Sequence, residues 1–265
     1  MLIDTHCHLD AAEFDADRDA IVTLALQYGI TNIVVPSVAR DNFDSVIELC
    51  GKYQQCSYAL GIHPMYVDKA NIEDIHLLKY YIENNSPVAI GEIGLDYYIT
   101  KSNLDLQIYF FVEQLKIAQY FDLPVILHVR NAIDDVLKYL RRFNIKSGIA
   151  HAFNGSLQQA EQFIEMGFKL GFGGAMTYSR ALKIRELAVN LPLTSIVLET
   201  DSPDIPPEWI GAKGRNTPLE LSKIAQVLAD LRQVNVSQVL DITSANAIKV
   251  LPKLVNLCTP SKVLL

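Results

Sequence analysis

The chain has 265 residues, half of them hydrophobic, with 23 Lys plus Arg against 30 Asp plus Glu and a formal charge of −7. That length suits one large core of barrel size, and the composition excludes a disordered or fibrous chain. The acidic balance argues against a general electrostatic grip on nucleic acid, although a local site carrying divalent cations can still take a phosphate. Cys7, Cys50, Cys56 and Cys258 form no CxxC pair or regular framework, as expected of reduced thiols. Met1-Leu2-Ile3-Asp4 opens without a basic and then apolar leader, and no apolar run approaches the roughly 20 residues that span a bilayer. A cytoplasmic location is expected, with no membrane association and no obligatory protein partner.

Short apolar runs alternate with amphipathic stretches along the whole chain, the pattern of repeated β/α units. Leu2 to Thr5 reads as the first strand and leads into His6-Cys7-His8; a helix follows over Ala20 to Tyr28. Asn32 to Pro36 is the second strand, with a helix over Phe43 to Tyr53. Tyr58 to Ile62 is the third, followed by His63, and His76 falls on a surface helix. The fourth strand, Val88 to Glu92, ends on a carboxylate and precedes a long helix over Leu104 to Phe121. Val125 to Val129 carries His128, and a helix spans Ala132 to Phe143. The sixth strand, Gly148 to His151, precedes a helix over Leu157 to Met166, where Ser156 and Gln159 have capping-box spacing. Phe168 to Phe172 and Ile196 to Thr200 complete the strands, separated by a helix over Ala181 to Asn190. Thr217-Pro218-Leu219-Glu220 combines an N-cap, Pro at the first helical position and Glu at the third, and starts a helix to about Arg232. A last helix over Ser237 to Val250 stops before Pro252.

Eight such units fit either a doubly wound open sheet or a closed (β/α)8 TIM barrel. The polar residues decide. His6, His8, His63, Glu92, His128, His151 and Asp201 all fall at carboxyl ends of strands, which an open sheet sets in a line and a barrel gathers around one mouth. A single-domain barrel over residues 1–265 is therefore the expected fold.

Alternation places His6 and His8 on one side of the chain and Cys7 on the other, two imidazoles suited to one divalent cation. A buried Glu92 is costly unless paired or coordinated, which nearby cations would explain. A lone His ending an apolar strand is more often a hydrogen-bonded core residue, but His128 and His151 join two more imidazoles and two acids. Asp201 can bind a cation and accept the proton of attacking water, which makes it the expected catalytic base. Glu199 competes for that role but is expected to point along the strand.

Six stretches together resemble the TatD-like metal-dependent deoxyribonucleases of the amidohydrolase superfamily, in that family's order along the chain. They are Ile3 to Asp10, Gly61 to Pro64, Gly91 to Tyr97, Pro124 to Arg130, His151 to Gly155 and Leu198 to Pro203. The similarity is closest to the YjjV-like branch. It implies two divalent cations, magnesium, manganese or zinc, with His6, His8, Glu92 and Asp201 at one and Glu92, His128 and His151 at the other. Glu92 would bridge them, and His63 and Arg130 would face the substrate, Arg130 being suited to a phosphate oxygen; its alternative is a structural salt bridge. The implied substrate is DNA, with removal of nucleotides from a 3′ end, or a small phosphoester. Asp204 stands where the family usually has an aromatic residue, an added anion expected to disfavour a polynucleotide or to alter its approach. The Gly171-Phe172-Gly173-Gly174 loop is a weak candidate for a phosphate cradle. Two rivals stay open: a lactone or amide hydrolase on the same scaffold, and a non-catalytic metal-binding protein.

Overall fold

The computed structural model describes residues 1–98 and 103–254. Its strands are β1 (Leu2–Asp4), β2 (Ile30–Pro36), β3 (Cys56–Leu60), β4 (Ala89–Asp96), β5 (Val125–Arg130), β6 (Gly148–Ala150), β7 (Lys169–Phe172) and β8 (Ile196–Leu198). They form one sheet, paired in chain order and parallel throughout. Helices α1 (Arg18–Gln27), α2 (Phe43–Lys52), α3 (Ile72–Asn84), α4 (Leu104–Phe121), α5 (Ile133–Arg142), α6 (Leu157–Glu165) and α7 (Leu182–Asn190) make the crossovers, and α8 (Leu221–Arg232) and α9 (Val236–Val250) follow β8. This is a (β/α)8 barrel. None of the helices among the described residues is long and apolar enough to cross a membrane.

Strands covered on both faces need apolar side chains on both, hence unbroken runs such as Ile33-Val34-Val35 and Ile196-Val197-Leu198. Successive residues point to opposite faces. Val34, Ile126, Ile149 and Val197 accordingly pack with Ile3, Ala59 and Ala89 in an inner cluster, while Ile33, Val35 and Leu127 lie in the outer core with the helices. Val250 and Leu251, at the end of α9, join the inner cluster. Asn246 Nδ2 pins α9 across the amino ends of the strands through the carbonyls of Ile196 (2.8 Å) and Leu193 (2.9 Å). One mouth is thus plugged, leaving the carboxyl ends for chemistry.

The barrel closes between β1 and β8. Thr5 N–H donates to Leu198 O (3.1 Å), Asp201 N–H to His6 O (2.8 Å) and His8 N–H to Ser202 O (2.8 Å). Beneath them Thr200 donates to the buried Asp4 carboxyl from its backbone (3.0 Å) and its hydroxyl (2.6 Å). Burial lifts that carboxyl to about 8, with the Thr200 hydrogen bonds opposing it.

Three expectations need correction. Glu92 does not end the fourth strand: β4 runs on to Asp96, which pairs with Arg130, and its register slips between Ile90 and Ile93. Gly94 allows this extension, because a Cβ there would overlap the His128 carbonyl. The Thr217 capping box does not form either. Thr217 makes no side-chain cap bond, and the Glu220 carboxylate instead accepts the Trp209 indole N–H at 2.6 Å. The third correction, to Glu199, belongs to the site. By contrast, Ser156 and Gln159 do cap α6 reciprocally, at 3.1 and 2.9 Å, and His76 is exposed on α3.

Candidate active site

Beyond β1 the alternation persists for four residues. His6 and His8 bring their Nε2 atoms to 3.3 Å, while Cys7 turns away and meets Ser202 Oγ at 3.1 Å. Opposite them, Asp201 begins the loop after β8 with φ of 56°, and its Oδ1 lies 3.4 Å from His6 Nε2 and 3.7 Å from His8 Nε2. Non-glycine residues at positive φ recur around this mouth at Asn131, Ala152 and Ile205. Such backbone is held by its surroundings and clusters where side chains need exact aim.

Glu92 is the centre of the arrangement, and its two oxygens face different partners. Oε2 is 3.2 Å from His6 Nε2 and 3.5 Å from His8 Nε2. Oε1 is 2.9 Å from His151 Nε2, 3.1 Å from His128 Nδ1 and 3.4 Å from His63 Nε2. Its interior position in β4 sets the carboxylate below the rim, where every one of these imidazoles can reach it.

The electrostatics follow from that crowding. Burial opposes ionisation of Glu92, but the imidazoles, His151 foremost, outweigh it and hold the carboxyl well below its usual range. Burial, with His151 beside it, brings His6 down to about 3. The two rings stack at 3.9 Å, so protons on both would repel. For His8 the hydrogen bond and charge of Glu92 overcome burial and lift it to about 9. Burial lifts Asp201 to about 6 against the nearby His151 and His8.

This donor set fits divalent cations. Ligands held about 2.0–2.2 Å from one ion stand roughly 3–3.6 Å from one another, and the separations from the imidazoles to Glu92 and Asp201 run from 2.9 to 3.7 Å. Donor atoms converge in three overlapping groups: His6, His8 and Asp201; His6, Glu92 and His151; and His63, Glu92 and His128. A bound cation would displace the protons that Glu92 otherwise draws onto His8 and His151.

All the expected site residues therefore come together except Arg130, which lies further out on the cavity wall. His63 sits deeper than a purely substrate-facing residue would. Its Nδ1 accepts the Met65 N–H (3.1 Å), leaving Nε2 toward Glu92. The Arg130 guanidinium lies over the Tyr98 ring, 3.6 Å from its centre. It makes no ion pair or side-chain hydrogen bond among the described residues, though its charge is one of the influences that hold the Asp96 carboxyl low. Together these groups open into a cavity of about 1280 Å³, whose wall also carries Asp10, Glu13, Asp134, Asp135, Asp204 and Lys183.

Of the two carboxylates behind the imidazoles, the sequence reading missed Asp96 and misplaced Glu199. Asp96 Oδ2 is 3.0 Å from His128 Nε2. Glu199 does not point along its strand; its Oε1 accepts the Ala152 N–H at 2.5 Å and lies 3.6 Å from His151 Nδ1. Period-two spacing from Asp201 was the available signal for Glu199, and the strand's continuation through Leu95 was the signal for Asp96.

A parallel barrel with convergent imidazoles and carboxylates at its open mouth defines the class of metal-dependent hydrolases. A model of the family described as TatD-related DNase matches residues 3–252, and the chain belongs to that family. It is 41% identical over 235 residues to YjjV of Escherichia coli K12, an uncharacterized metal-dependent hydrolase, covering 87% of this chain and 90% of that one. Identity to YabD of Bacillus subtilis 168, likewise an uncharacterized metal-dependent hydrolase, is 33% over 249 residues, covering 93% and 97%. The YjjV crystal structure matches with a TM-score of 0.91 at 37% identity, over 95% of this chain and 98% of the other. A TatD-family hydrolase from Entamoeba histolytica, at 20% identity and a TM-score of 0.83 over 94% and 97%, shares the fold.

Proposed function

We propose that this protein hydrolyses phosphoester bonds with two divalent cations, and that its substrate is DNA, trimmed from a 3′ end, or a small phosphoester. The observation that carries the reading is the division of Glu92, whose Oε2 faces His6 and His8 while Oε1 faces His128 and His151. A carboxylate so divided is suited to serve two positions: His6, His8, Glu92 and Asp201 would hold one cation, and Glu92, His128 and His151 would hold the other. His63 Nε2 stands at the edge of the second position and faces the substrate from there. When bound, the cations polarise the scissile ester and make water acidic enough to attack near neutral pH.

The chain's own residues supply the rest. Asp201 Oδ1 is directed at His6 and His8, leaving Oδ2 to take the proton of the attacking water. Arg130 offers a planar, two-pronged donor to a phosphate oxygen, and stacking on Tyr98 holds that plane without consuming its N–H groups. The buried floor excludes bulk water from the reacting atoms.

A small phosphoester is favoured over long DNA by one observation. The cavity wall carries Asp10, Glu13 and Asp204, none of them in an ion pair with Lys or Arg among the described residues, against Arg130 and Lys183, so a polyanion crossing the mouth meets repulsion. The discriminating experiment is metal analysis of protein purified without added metal, followed by turnover of single-stranded DNA, duplex DNA and bis(p-nitrophenyl) phosphate. Retained hydrolysis in verified metal-free protein would overturn the reading. Turnover of carboxylic esters or amides in place of phosphoesters would move the chain to another hydrolase class.

A further inference from the structure

Glu199 is a buried carboxylate with no part in the hydrolysis described above, 1% exposed just beyond β8. The fold makes room for it deliberately. A Cβ on Gly171 would overlap both Glu199 oxygens, and a Cβ on Gly173 would come within 2.8 Å of the Glu199 carbonyl oxygen. On the other side the loop after β6 turns through Ala152, at φ of 44°, and presents the Ala152 N–H to Oε1. Oε2 and His151 Nδ1 are both buried without a hydrogen-bond partner, and Oε1 stands 3.6 Å from that same Nδ1. The glycines read earlier as a weak phosphate cradle thus flank a carboxylate aimed at an imidazole.

We propose that Glu199 is a positioning residue, which draws the His151 proton to Nδ1 and so turns the Nε2 lone pair toward the space beside Glu92. A neutral imidazole has one N–H and one lone pair, and its partners decide which nitrogen has which. Glu92 Oε1 lies 2.9 Å from His151 Nε2. With no acceptor on its far side, His151 would place its proton there, between the two groups, and the lone pair would be lost to a cation. A carboxylate at Nδ1 reverses that preference, as outer carboxylates do for ligand histidines generally.

His128 shows the same device in mirror order. Its Nδ1 is 3.1 Å from Glu92 Oε1, and its Nε2 is 3.0 Å from Asp96 Oδ2. His128 on β5 is thus backed by an acid from the adjacent β4, and His151 after β6 faces an acid that reaches it from beyond β8, across β7. At His151 the separation is 3.6 Å, and His6, stacked on the ring at 3.9 Å, holds its face.

The inference rests on the reading of His151 as a ligand of the second cation, and its test separates the two. Zn²⁺ is titrated calorimetrically, against a competing chelator, into wild type, Glu199→Gln and Glu199→Asp, each checked for folding by circular dichroism. Nitrogen-15 spectra of the Zn²⁺-loaded proteins report the His151 Nδ1 proton. Wild type is expected to show an exchange-protected, downfield Nδ1 proton. Glu199→Gln should lose that shift and bind one of two ions about 10- to 100-fold more weakly, with the other unchanged, and Glu199→Asp should recover part of both. Equal affinities in wild type and Glu199→Gln, or an Nδ1 proton unmoved by the change, would overturn the proposal. Should wild type bind a single ion, the two-cation reading fails while the Nδ1 proton still judges Glu199. If Glu199→Gln does not fold, a wild-type His151 without a downfield Nδ1 proton is enough to reject it.

Discussion

Replacing Glu92 by Gln perturbs the one side chain that both donor groups share. An amide has a single acceptor oxygen, and its NH₂ would point hydrogens at whichever imidazoles it faces. One group therefore loses its oxygen and both lose the charge. The size of the effect follows from linkage. An ion present at 100 times its dissociation constant adds about 2.7 kcal/mol to a folded state that alone binds it, so two add about 5 kcal/mol. Unfolding entropy of about 2.1 cal/mol/K per residue, over 265 residues, converts this to a Tm change of about 10 °C. Scanning calorimetry with and without chelator, with metal content measured in each sample, should show that drop in wild type. Glu92→Gln should keep less than about a third of it, since the binding that generates the difference is lost. A wild-type Tm unchanged on verified metal removal would refute the linkage, and a full chelator response in Glu92→Gln would remove Glu92 from the shared position.

Asp201→Asn keeps the size and one oxygen of the side chain, so a variant with undiminished metal content is expected to turn over at least ~100-fold more slowly, the scale of lost general-base catalysis. Full occupancy with near-normal turnover would exclude Asp201 as the base. Arg130→Lys preserves the charge but not the planar fork, and KM for a phosphoester should rise with Tm within about 1 °C of wild type, because no structural ion pair is broken. A marked loss of stability with unchanged kinetics would contradict a substrate-facing role. Asp204→Asn should raise turnover of oligonucleotides relative to bis(p-nitrophenyl) phosphate at about 0.01 M salt, where the Debye length is about 30 Å, and less at 0.1 M, where it is about 10 Å. A ratio that does not move would show that the anion at this position has no part in substrate choice.

The strands were legible because each is covered on both faces and must be apolar along its length, and the mouth was legible because the histidines and Asp201 follow those runs or fall late in them, Glu92 inside β4 being the exception. Strand boundaries were less so. Ile93, Gly94 and Leu95 continue β4 beyond Glu92 by pairing with β5, a contact between residues more than thirty positions apart that no local pattern announces. Thr217 and Glu220 have capping-box spacing, yet Trp209 captures the glutamate from another loop. His6, His8, Glu92, His128, His151 and Asp201 could be gathered from strand position alone. Asp96 and Glu199 could not, because their partners lie on other strands: Asp96 backs His128 of the adjacent β5, and Glu199, beyond β8, reaches past β7 to His151 beyond β6. What a carboxylate backs is set by register, and register is a property of the assembled sheet.

The closure between β1 and β8 has a consequence for how the protein is made. Asp201, which faces His6 and His8 across the seam, is synthesised long after them. The bonds that bring these ends together, Asp201 N–H to His6 O and His8 N–H to Ser202 O, exist only after β8 has been synthesised and has docked. A nascent chain that stops short of Ile196 therefore carries two isolated imidazoles at its first strand, and no enclosed position for a cation between them and Asp201. The position between these imidazoles and Asp201 therefore takes shape only as the barrel is sealed.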